Sequence, residues 1–229
     1  MRFLDRSLSI KEVSKLIEEA FSIGINTHHS SSEYSSYELY AEGLKQSNCA
    51  SKIKHIVKVS APHFEDQVFN SKLLEDRVDE QLQVLNTDTI DVLQWLVRSK
   101  PINDKARLET LFTYKDEIEN VMQRLKQKGK VKTVFSFPYS VPFAQSVKKL
   151  NQIDGIIAYL NKEEQEYSEF AINDPFIAIR PFFGGELLKD SKNLQETINR
   201  SLNYIKTKKG VITTIVGINS IQQLEAFKH

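Results

Sequence analysis

Short apolar segments alternate with amphipathic helical segments along almost the whole chain, and this alternation constrains the fold more than any other feature. A helical pattern separates each apolar segment from the next, and the connections are short. Consecutive strands must therefore run parallel, joined by right-handed crossovers. The seven predicted strands cover residues 25–29, 55–60, 89–97, 131–137, 154–160, 176–182 and 211–216.

The helices carry clear local signals. Ser9 and Glu12 form a capping-box pattern ahead of apolar residues at helical spacing, which predicts a helix over residues 10–22. Ser220 is placed to cap a last short helix. The remaining predicted helices cover residues 35–46, 74–85, 108–125, 142–150, 162–173 and 194–205.

The segment 89–97 is too apolar and continuous for a strand with one face in water, so we expect it to be buried on both faces. Two architectures satisfy this requirement: a closed (β/α)8 barrel and an open doubly wound sheet. Seven strands are one fewer than a closed barrel has, and periodicity alone does not separate the two. No repeat or linker-like segment interrupts the sequence, which predicts a single domain over residues 1–229.

Composition excludes several classes of protein. The chain has 31 Lys plus Arg against 30 Asp plus Glu, spread along its length, which argues against a nucleic-acid or anionic-membrane binder. Apolar runs such as residues 155–160 are far shorter than the roughly 20 residues of a membrane span, and no signal peptide opens the chain. We therefore expect a cytoplasmic protein. The single cysteine, Cys49, excludes an internal disulfide framework.

Six segments resemble the aldo/keto reductase family and occur in the family's own order. The segment LNTDTIDVLQ, for example, resembles the family's "LgtDyiDLlq", and PFFGGELL resembles "PLggGlL". The likeness runs from about Ser9 to the end of the chain. The segments are residues 24–34, 56–60, 85–94, 125–132, 181–188 and 215–225.

The resemblance favours the barrel over the open sheet. It implies an α/β fold, a TIM-type (β/α)8 barrel shortened at both ends, whose first strand is missing or residual. The position of that strand would lie immediately before the start of the chain. An unfilled position leaves unpaired backbone edges, so we expect either residues 2–5 to fill part of it or a partner chain to cover it, as in a homodimer.

The resemblance also implies NADPH-dependent carbonyl reduction. In the family a tyrosine hydroxyl gives a proton to the carbonyl oxygen, a lysine assists it, an aspartate holds the lysine and a histidine orients the carbonyl. Tyr34 and Lys58 stand at the tyrosine and lysine positions. His29 replaces the aspartate and Leu96 replaces the histidine, so both supporting positions are altered.

The positions that would hold NADP(H) are altered too. Phe137-Pro138 stands where the family has a Ser-Asn pair for the nicotinamide carboxamide, and Ile157 stands where it has a glutamine. Neither can replace the lost hydrogen bonds. The loop that would seat the adenosine phosphate keeps Gly217 and Ser220, but Asn219 replaces an expected basic residue.

Three other features are candidates for binding. Arg180 is a charge at the mouth end of the sixth predicted strand, where it could bind an anion. Trp95 either belongs to the core or closes a pocket mouth. Gly184-Gly185 fits a turn at the top of the barrel better than a phosphate cradle, because no phosphate-loop motif surrounds it.

A metal site is not predicted. His28 and His29 are neighbours on a strand and so point to opposite faces, which prevents one metal from binding both easily. His63 and Glu33 lie nearby in sequence but do not complete a recognisable ligand pattern.

Three functional hypotheses remain open. The first is a binding or accessory protein with a degenerate active site and weak or no NADPH-dependent carbonyl reduction. The second is a working NADP(H)-dependent aldo/keto oxidoreductase that uses Tyr34 and Lys58. The third is different chemistry on an anionic sugar-like ligand near Arg180, with His29 as base. A small-molecule carbonyl or an anionic sugar-like compound is the expected ligand, and NADP(H) the expected cofactor if the protein binds one.

Overall fold

The structure, a computed structural model, describes residues 8–98, 100–189 and 191–228. Within these ranges seven strands follow one another in the sheet in chain order. The pairs β1–β2, β2–β3, β4–β5, β5–β6 and β6–β7 are parallel. The strands are β1 (Thr27–Ser30), β2 (Lys54–Ser60), β3 (Ile90–Leu96), β4 (Val131–Ser136), β5 (Gly155–Tyr159), β6 (Phe176–Ile179) and β7 (Val211–Ile215).

Helices separate the strands as the sequence predicts, and three single 3-10 turns accompany them. None of the helices in the described part of the chain is long and apolar enough to cross a membrane. The helices are α1 (Ile10–Ser22), α2 (Tyr37–Gln46), α3 (Ser71–Leu85), α4 (Asp104–Thr113), α5 (Lys115–Gln127), α6 (Val141–Val147), α7 (Ser168–Asn173), α8 (Glu186–Lys189), α9 (Leu194–Lys206) and α10 (Ile221–Leu224).

The chain forms two compact units. The first comprises Met1–Val134 and Ile218–His229, and it contains β1 to β3 and most of β4. The second comprises Phe135–Gly217 and contains the end of β4 together with β5, β6 and β7. Residues 2–5, which were expected to fill part of a missing strand, lie outside the described residues.

The core of the first unit lies on both faces of its sheet. In β3, Leu93, Trp95 and Leu96 are all buried, although neighbouring side chains on a strand point to opposite faces. The prediction of a doubly buried strand is therefore confirmed over most of its length. The predicted capping box is also present: Ser9 N donates to Glu12 Oε2 (2.7 Å), and Glu12 N donates back to Ser9 Oγ (3.3 Å).

Two predicted helices are wrong in extent. The helix expected over residues 108–125 is divided at Tyr114, where the backbone leaves helical geometry and the ring packs against Phe69 at 5.9 Å. The helix expected over residues 162–173 is reduced to α7. Asn161 Oδ1 accepts hydrogen bonds from two successive backbone N–H groups, and this side-chain turn replaces the first helical turns.

One predicted strand also ends early. The strand expected over residues 176–182 stops at Ile179, because Arg180 adopts a left-handed conformation with φ of 58°. Few residues other than glycine adopt this conformation, so something around Arg180 must stabilise it.

The close contact between α1 and α2, at Val13 and Gly43, can be tested by mutation. A Cβ on Gly43 would lie 2.8 Å from Val13 Cβ and closer still to its Cγ1. We expect Gly43→Ala to lower the free energy of unfolding by about 1–3 kcal/mol, as overpacking does. Adding Val13→Ala removes the closest atom, Cγ1, but leaves Val13 Cβ at 2.8 Å, so the double variant should lose less than the sum of the single changes without regaining wild-type stability.

Urea unfolding measures this coupling. Gly217→Ala is the matched control, because a Cβ at Gly217 would meet no atom within 4 Å. A Gly43→Ala protein as stable as the wild type would contradict the close α1–α2 packing.

Candidate active site

The carboxyl ends of β1, β2 and β3 bring the predicted catalytic positions together in the first unit. Lys58 lies opposite Gln94 in the register of β2 and β3, and His29 lies opposite Ile56 in that of β1 and β2. His29 Nε2 donates to Gln94 Oε1 at 2.6 Å. Parallel strands end at one edge of a sheet, so the loop after each strand adds its side chains to the same place.

Lys58 lies over the ring of Tyr34. Its Nζ is 5.4 Å from the centroid of the Tyr34 ring, and that ring packs edge-on against His29 with centroids 6.0 Å apart. Lys58 Nζ also donates to Glu33 Oε2 at 2.6 Å. The side chain of Lys58 is only 12% exposed, so this ion pair is largely shielded from water.

Glu33 is the centre of a larger network. Ser60 Oγ donates to Glu33 Oε1 at 2.8 Å, and Arg98 Nη1 donates to Glu33 Oε2 at 2.5 Å. The Arg98 guanidinium lies over the ring of Phe64, 5.0 Å from its centroid. Two cations and a hydroxyl therefore converge on one carboxylate.

Burial and hydrogen bonding act on Glu33 in opposite directions. Burial alone would raise the pKa of Glu33, but the hydrogen bonds from Lys58 and Ser60, with the charges of Lys58 and Arg98, outweigh it. The pKa therefore lies below its ordinary value of 4.5, and Glu33 is a carboxylate at neutral pH.

Sequence reasoning did not find this network. Glu33 entered only as a neighbour of a rejected metal site, and Ser60 and Arg98 were not considered. Two signals in the sequence point to it. Glu33 directly precedes Tyr34. Ser60 follows Lys58 by two residues, which places Lys58 and Ser60 on the same face of β2. Arg98 follows β3 by two residues in the same way.

His29 is neutral in this site. Burial lowers its pKa from 6.5 to about 4, and the charge of Lys58 acts in the same direction. A neutral imidazole that donates to Gln94 neither repels Lys58 nor holds it as a carboxylate would.

His28 lies on the opposite face of β1 from His29, as strand geometry requires. Its Nδ1 is 3.0 Å from the hydroxyl of Tyr40 on α2, whereas His29 contacts Gln94. Over the ranges that the structure describes, no group of three or more His, Cys, Asp or Glu side chains is arranged to hold a metal ion.

The other two positions on β3 are apolar and enclosed. Leu96, at the position of the family histidine, is 2% exposed. Trp95 is fully buried, and its Nε1 donates to the backbone oxygen of Ala61 at 2.8 Å. The structure thus places Trp95 in the core rather than at a pocket mouth.

In the second unit, the positions expected to hold the nicotinamide carboxamide do not fit it. Phe137 is 9% exposed and packs edge-on against Tyr139 and Tyr159, with centroids 4.9 Å and 5.4 Å away. Ile157 is fully buried. Pro138 offers only its backbone oxygen, which accepts from the hydroxyl of Tyr167 at 2.8 Å. None of the three side chains can hydrogen-bond an amide.

Arg180 is held by its neighbours on several sides. Its guanidinium lies over the rings of Tyr159 (4.7 Å) and Phe183 (5.4 Å) and pairs with Glu164 Oε1 at 3.2 Å. Asn161 Nδ2 donates to the backbone oxygen of Arg180 at 2.9 Å, which stabilises its left-handed backbone. An anionic ligand would have to compete with Glu164 for Arg180.

Gly184 and Gly185 belong to the turn beside Arg180. Their φ angles are 69° and 101°, and a Cβ on Gly184 would lie 3.2 Å from Arg180 Nη2. Glycine is therefore favoured at position 184 by its positive φ, and a Cβ there would make the Arg180 guanidinium shift slightly.

Two of the three remaining positions expected to contact the cofactor, Asn219 and Ser220, take part in a helix cap. Ser220 is the N-cap of α10, where its Oγ accepts from Gln223 N at 3.4 Å. Asn219 N donates to Gln223 Oε1 at 2.7 Å. Gly217 lies in the second unit, at the end of the segment that follows β7.

Comparison with known proteins agrees with this layout. The profile of the aldo/keto reductase family matches residues 1–154, more than half of the 229 residues. The chain belongs to the aldo/keto reductase family. No curated protein matches it in sequence.

Solved structures show the same fold at low sequence identity. A Pseudomonas aeruginosa protein described as an aldo-keto reductase matches with a TM-score of 0.73 and 18% identity, over 100% of this chain and 82% of its own. The aldo-keto reductase AKR11C1 from Bacillus halodurans gives 0.70 and 17%, over 94% and 80% of the two chains. The glycerol dehydrogenase AKR11B4 from Gluconobacter oxydans gives 0.71 and 16%, over 94% and 78%. The predicted fold class, a shortened TIM-type (β/α) barrel, is confirmed.

Two buried histidines beneath the site predict loss of stability in acid. Burial lowers the pKa of His28 to about 3 and that of His55 to about 4, whereas an unfolded histidine keeps about 6.5. The unfolded chain therefore binds more protons between these values. Folding is therefore favoured by these neutral histidines above pH 6.5. As the pH falls toward 4 their contribution to the free energy of unfolding is lost, by about 2 kcal/mol per histidine at pH 5.

Urea unfolding at pH 7.5 and pH 5.0 tests this dependence. His55→Gln should lose less stability between the two pH values than the wild type does, because one titrating group is gone. Gly217→Ala, which changes no titrating group, is the control and should keep the wild-type difference. Equal differences in all three proteins would show that His55 is not buried in its neutral form.

Proposed function

We propose that the protein is a binding or accessory protein on the aldo/keto reductase fold, with weak or no NADP(H)-dependent carbonyl reduction. One observation carries this proposal: Leu96, Phe137 and Ile157 are buried and apolar at the positions where the family hydrogen-bonds the carbonyl and the carboxamide. A polar group buried without a partner costs about 1–3 kcal/mol, so several such losses together remove most of a cofactor's affinity.

NADP(H) would supply hydride if it were bound. The side chains of Phe137, Pro138 and Ile157 do not fit its carboxamide, so the chemistry we assign uses only the chain's own groups. Lys58 and Tyr34 carry N–H and O–H donors at the strand ends. They suit an oxygen atom of a ligand, and His29 is neutral beside them.

This donor set defines the proposed ligand class. We propose a small-molecule carbonyl compound or an anionic sugar-like compound, bound at the strand ends where barrels of this type carry their sites. We further propose that the protein acts in the cytoplasm, and that a second copy or a partner chain covers an open edge of the barrel.

A second function, carbonyl reduction, is favoured by one specific contact. Glu33 supplies a carboxylate at 2.6 Å from Lys58, so the lysine keeps an acidic partner although His29 has replaced the family aspartate. Tyr34 and Lys58 would then remain a working proton-donating pair.

An aldehyde and ketone screen with NADPH separates the two functions. We expect wild-type protein to oxidise NADPH no faster than the reaction without protein, and Tyr34→Phe to change nothing. If the protein is a reductase, turnover should be measurable and should fall by about 10²–10⁴-fold in Tyr34→Phe.

Leu96→His is the companion variant for this screen. It restores a side chain that can orient a carbonyl, but it leaves the carboxamide positions unchanged. We expect it to stay inactive, because the cofactor still lacks its hydrogen bonds. Turnover in Leu96→His alone would show that the loss of the histidine, rather than of the cofactor site, had silenced the protein.

A further inference from the structure

The site contains an acidic residue where the family resemblance places none. His29 occupies the aspartate position, and the carboxylate next to Lys58 comes from Glu33, four residues later in the loop that follows β1. We propose that Glu33 is the positioning residue for Lys58 and that it has taken over the task of the missing aspartate. This inference rests on the proposed function only in assuming that Lys58 and Tyr34 face the ligand.

Both oxygens of Glu33 are engaged, which fixes the direction of the carboxylate. Oε2 accepts from Lys58 at 2.6 Å and from Arg98 at 2.5 Å, and Oε1 accepts from Ser60 at 2.8 Å. Charge-assisted hydrogen bonds of this kind are the strongest in proteins, and several on one group restrict its rotation. Lys58 is thereby held with its Nζ beside the ring of Tyr34.

Arg77 and Asp66 hold the backbone of Ser60, which in turn contacts Glu33. Arg77 Nη1 donates to the backbone oxygen of Ser60 at 2.9 Å, and the same guanidinium binds both carboxylate oxygens of Asp66 at 2.6 Å and 2.8 Å. Ser60 is therefore fixed at the end of β2. Its hydroxyl meets Glu33 from a rigid element rather than from a loose loop.

Other nearby groups are committed elsewhere. His29 is neutral and donates to Gln94. Asp66 is bound by both guanidinium nitrogens of Arg77. Of the acidic side chains in the described ranges, Glu33 is the one for which a contact with Lys58 is seen.

The chemical reactivity of Lys58 tests the inference without any ligand or cofactor. Acylating reagents attack only the neutral amine, and a carboxylate partner favours the ammonium form. The experiment treats the folded protein with a limiting amount of N-acetoxysuccinimide at pH 8. Mass spectrometry then gives the acetylation rate of Lys58 relative to that of the exposed Lys11.

Glu33→Gln should increase the relative rate at Lys58 by about tenfold, because it removes the carboxylate whose charge favours the unreactive ammonium form. Glu42→Gln is the matched control. It removes a carboxylate that pairs with the exposed Lys45 on α2 and should leave the rate at Lys58 unchanged. A rate within twofold of wild type in Glu33→Gln would overturn the inference.

A relocated carboxylate distinguishes positioning from loss of packing. In His29→Asp plus Glu33→Gln, an acid returns at the family position, and the rate at Lys58 should fall to within about threefold of wild type. If Glu33 only filled space, the double variant would react as fast as Glu33→Gln, and the inference would be wrong.

Glu33→Asp covers the case in which the amide variant does not fold. It keeps the charge, so the rate at Lys58 should stay within about threefold of wild type, and a tenfold increase would count against the inference. The proposed function can fail while this inference holds. In that case the protein would reduce carbonyl compounds, and the acetylation rate of Lys58 would still depend on where the carboxylate is placed.

Discussion

The parallel register of β1, β2 and β3 determines the site of the first unit. It sets Lys58 opposite Gln94 and brings the loops after all three strands to one edge. A slip of one residue between β2 and β3 would turn Gln94 to the opposite face of the sheet and break its hydrogen bond with His29. The contacts of the site therefore depend on the register of the sheet. Residues outside the site, which pack the strands, determine where its side chains lie.

The residues at the expected catalytic positions make two kinds of contact. Glu33 accepts a hydrogen bond from Lys58, and His29 is a neutral donor to Gln94. The positions that should hydrogen-bond a carbonyl and a carboxamide are apolar, with Leu96 and Phe137 buried. A site that has simply decayed would not be expected to keep a charged network with both carboxylate oxygens engaged. This combination is the reason why we propose binding of a polar ligand rather than transfer of hydride.

Local signals explain why most of the fold was predictable. The strands are short apolar segments bounded by turns, and the capping box at Ser9 acts over three residues. What was missed depends on contacts that are distant in sequence: Glu33 meets Lys58 across 25 residues and Arg98 across 65. Likewise, the helical pattern is divided at Tyr114, whose ring contacts Phe69, 45 residues earlier, and periodicity cannot show this contact. The motifs located Tyr34 and Lys58, but only the folded chain shows what holds them.

The most direct test of the account is a calorimetric titration of the purified protein with NADPH and with NADH. Any hydride chemistry in this family requires a bound nicotinamide, and the apolar side chains at Phe137 and Ile157 remove its expected hydrogen bonds. The account predicts no saturable binding up to about 1 mM, which corresponds to less than about 4 kcal/mol of binding free energy. Binding with a dissociation constant near 1 μM, about −8 kcal/mol, would contradict it, favour the reductase hypothesis and justify a screen of carbonyl substrates.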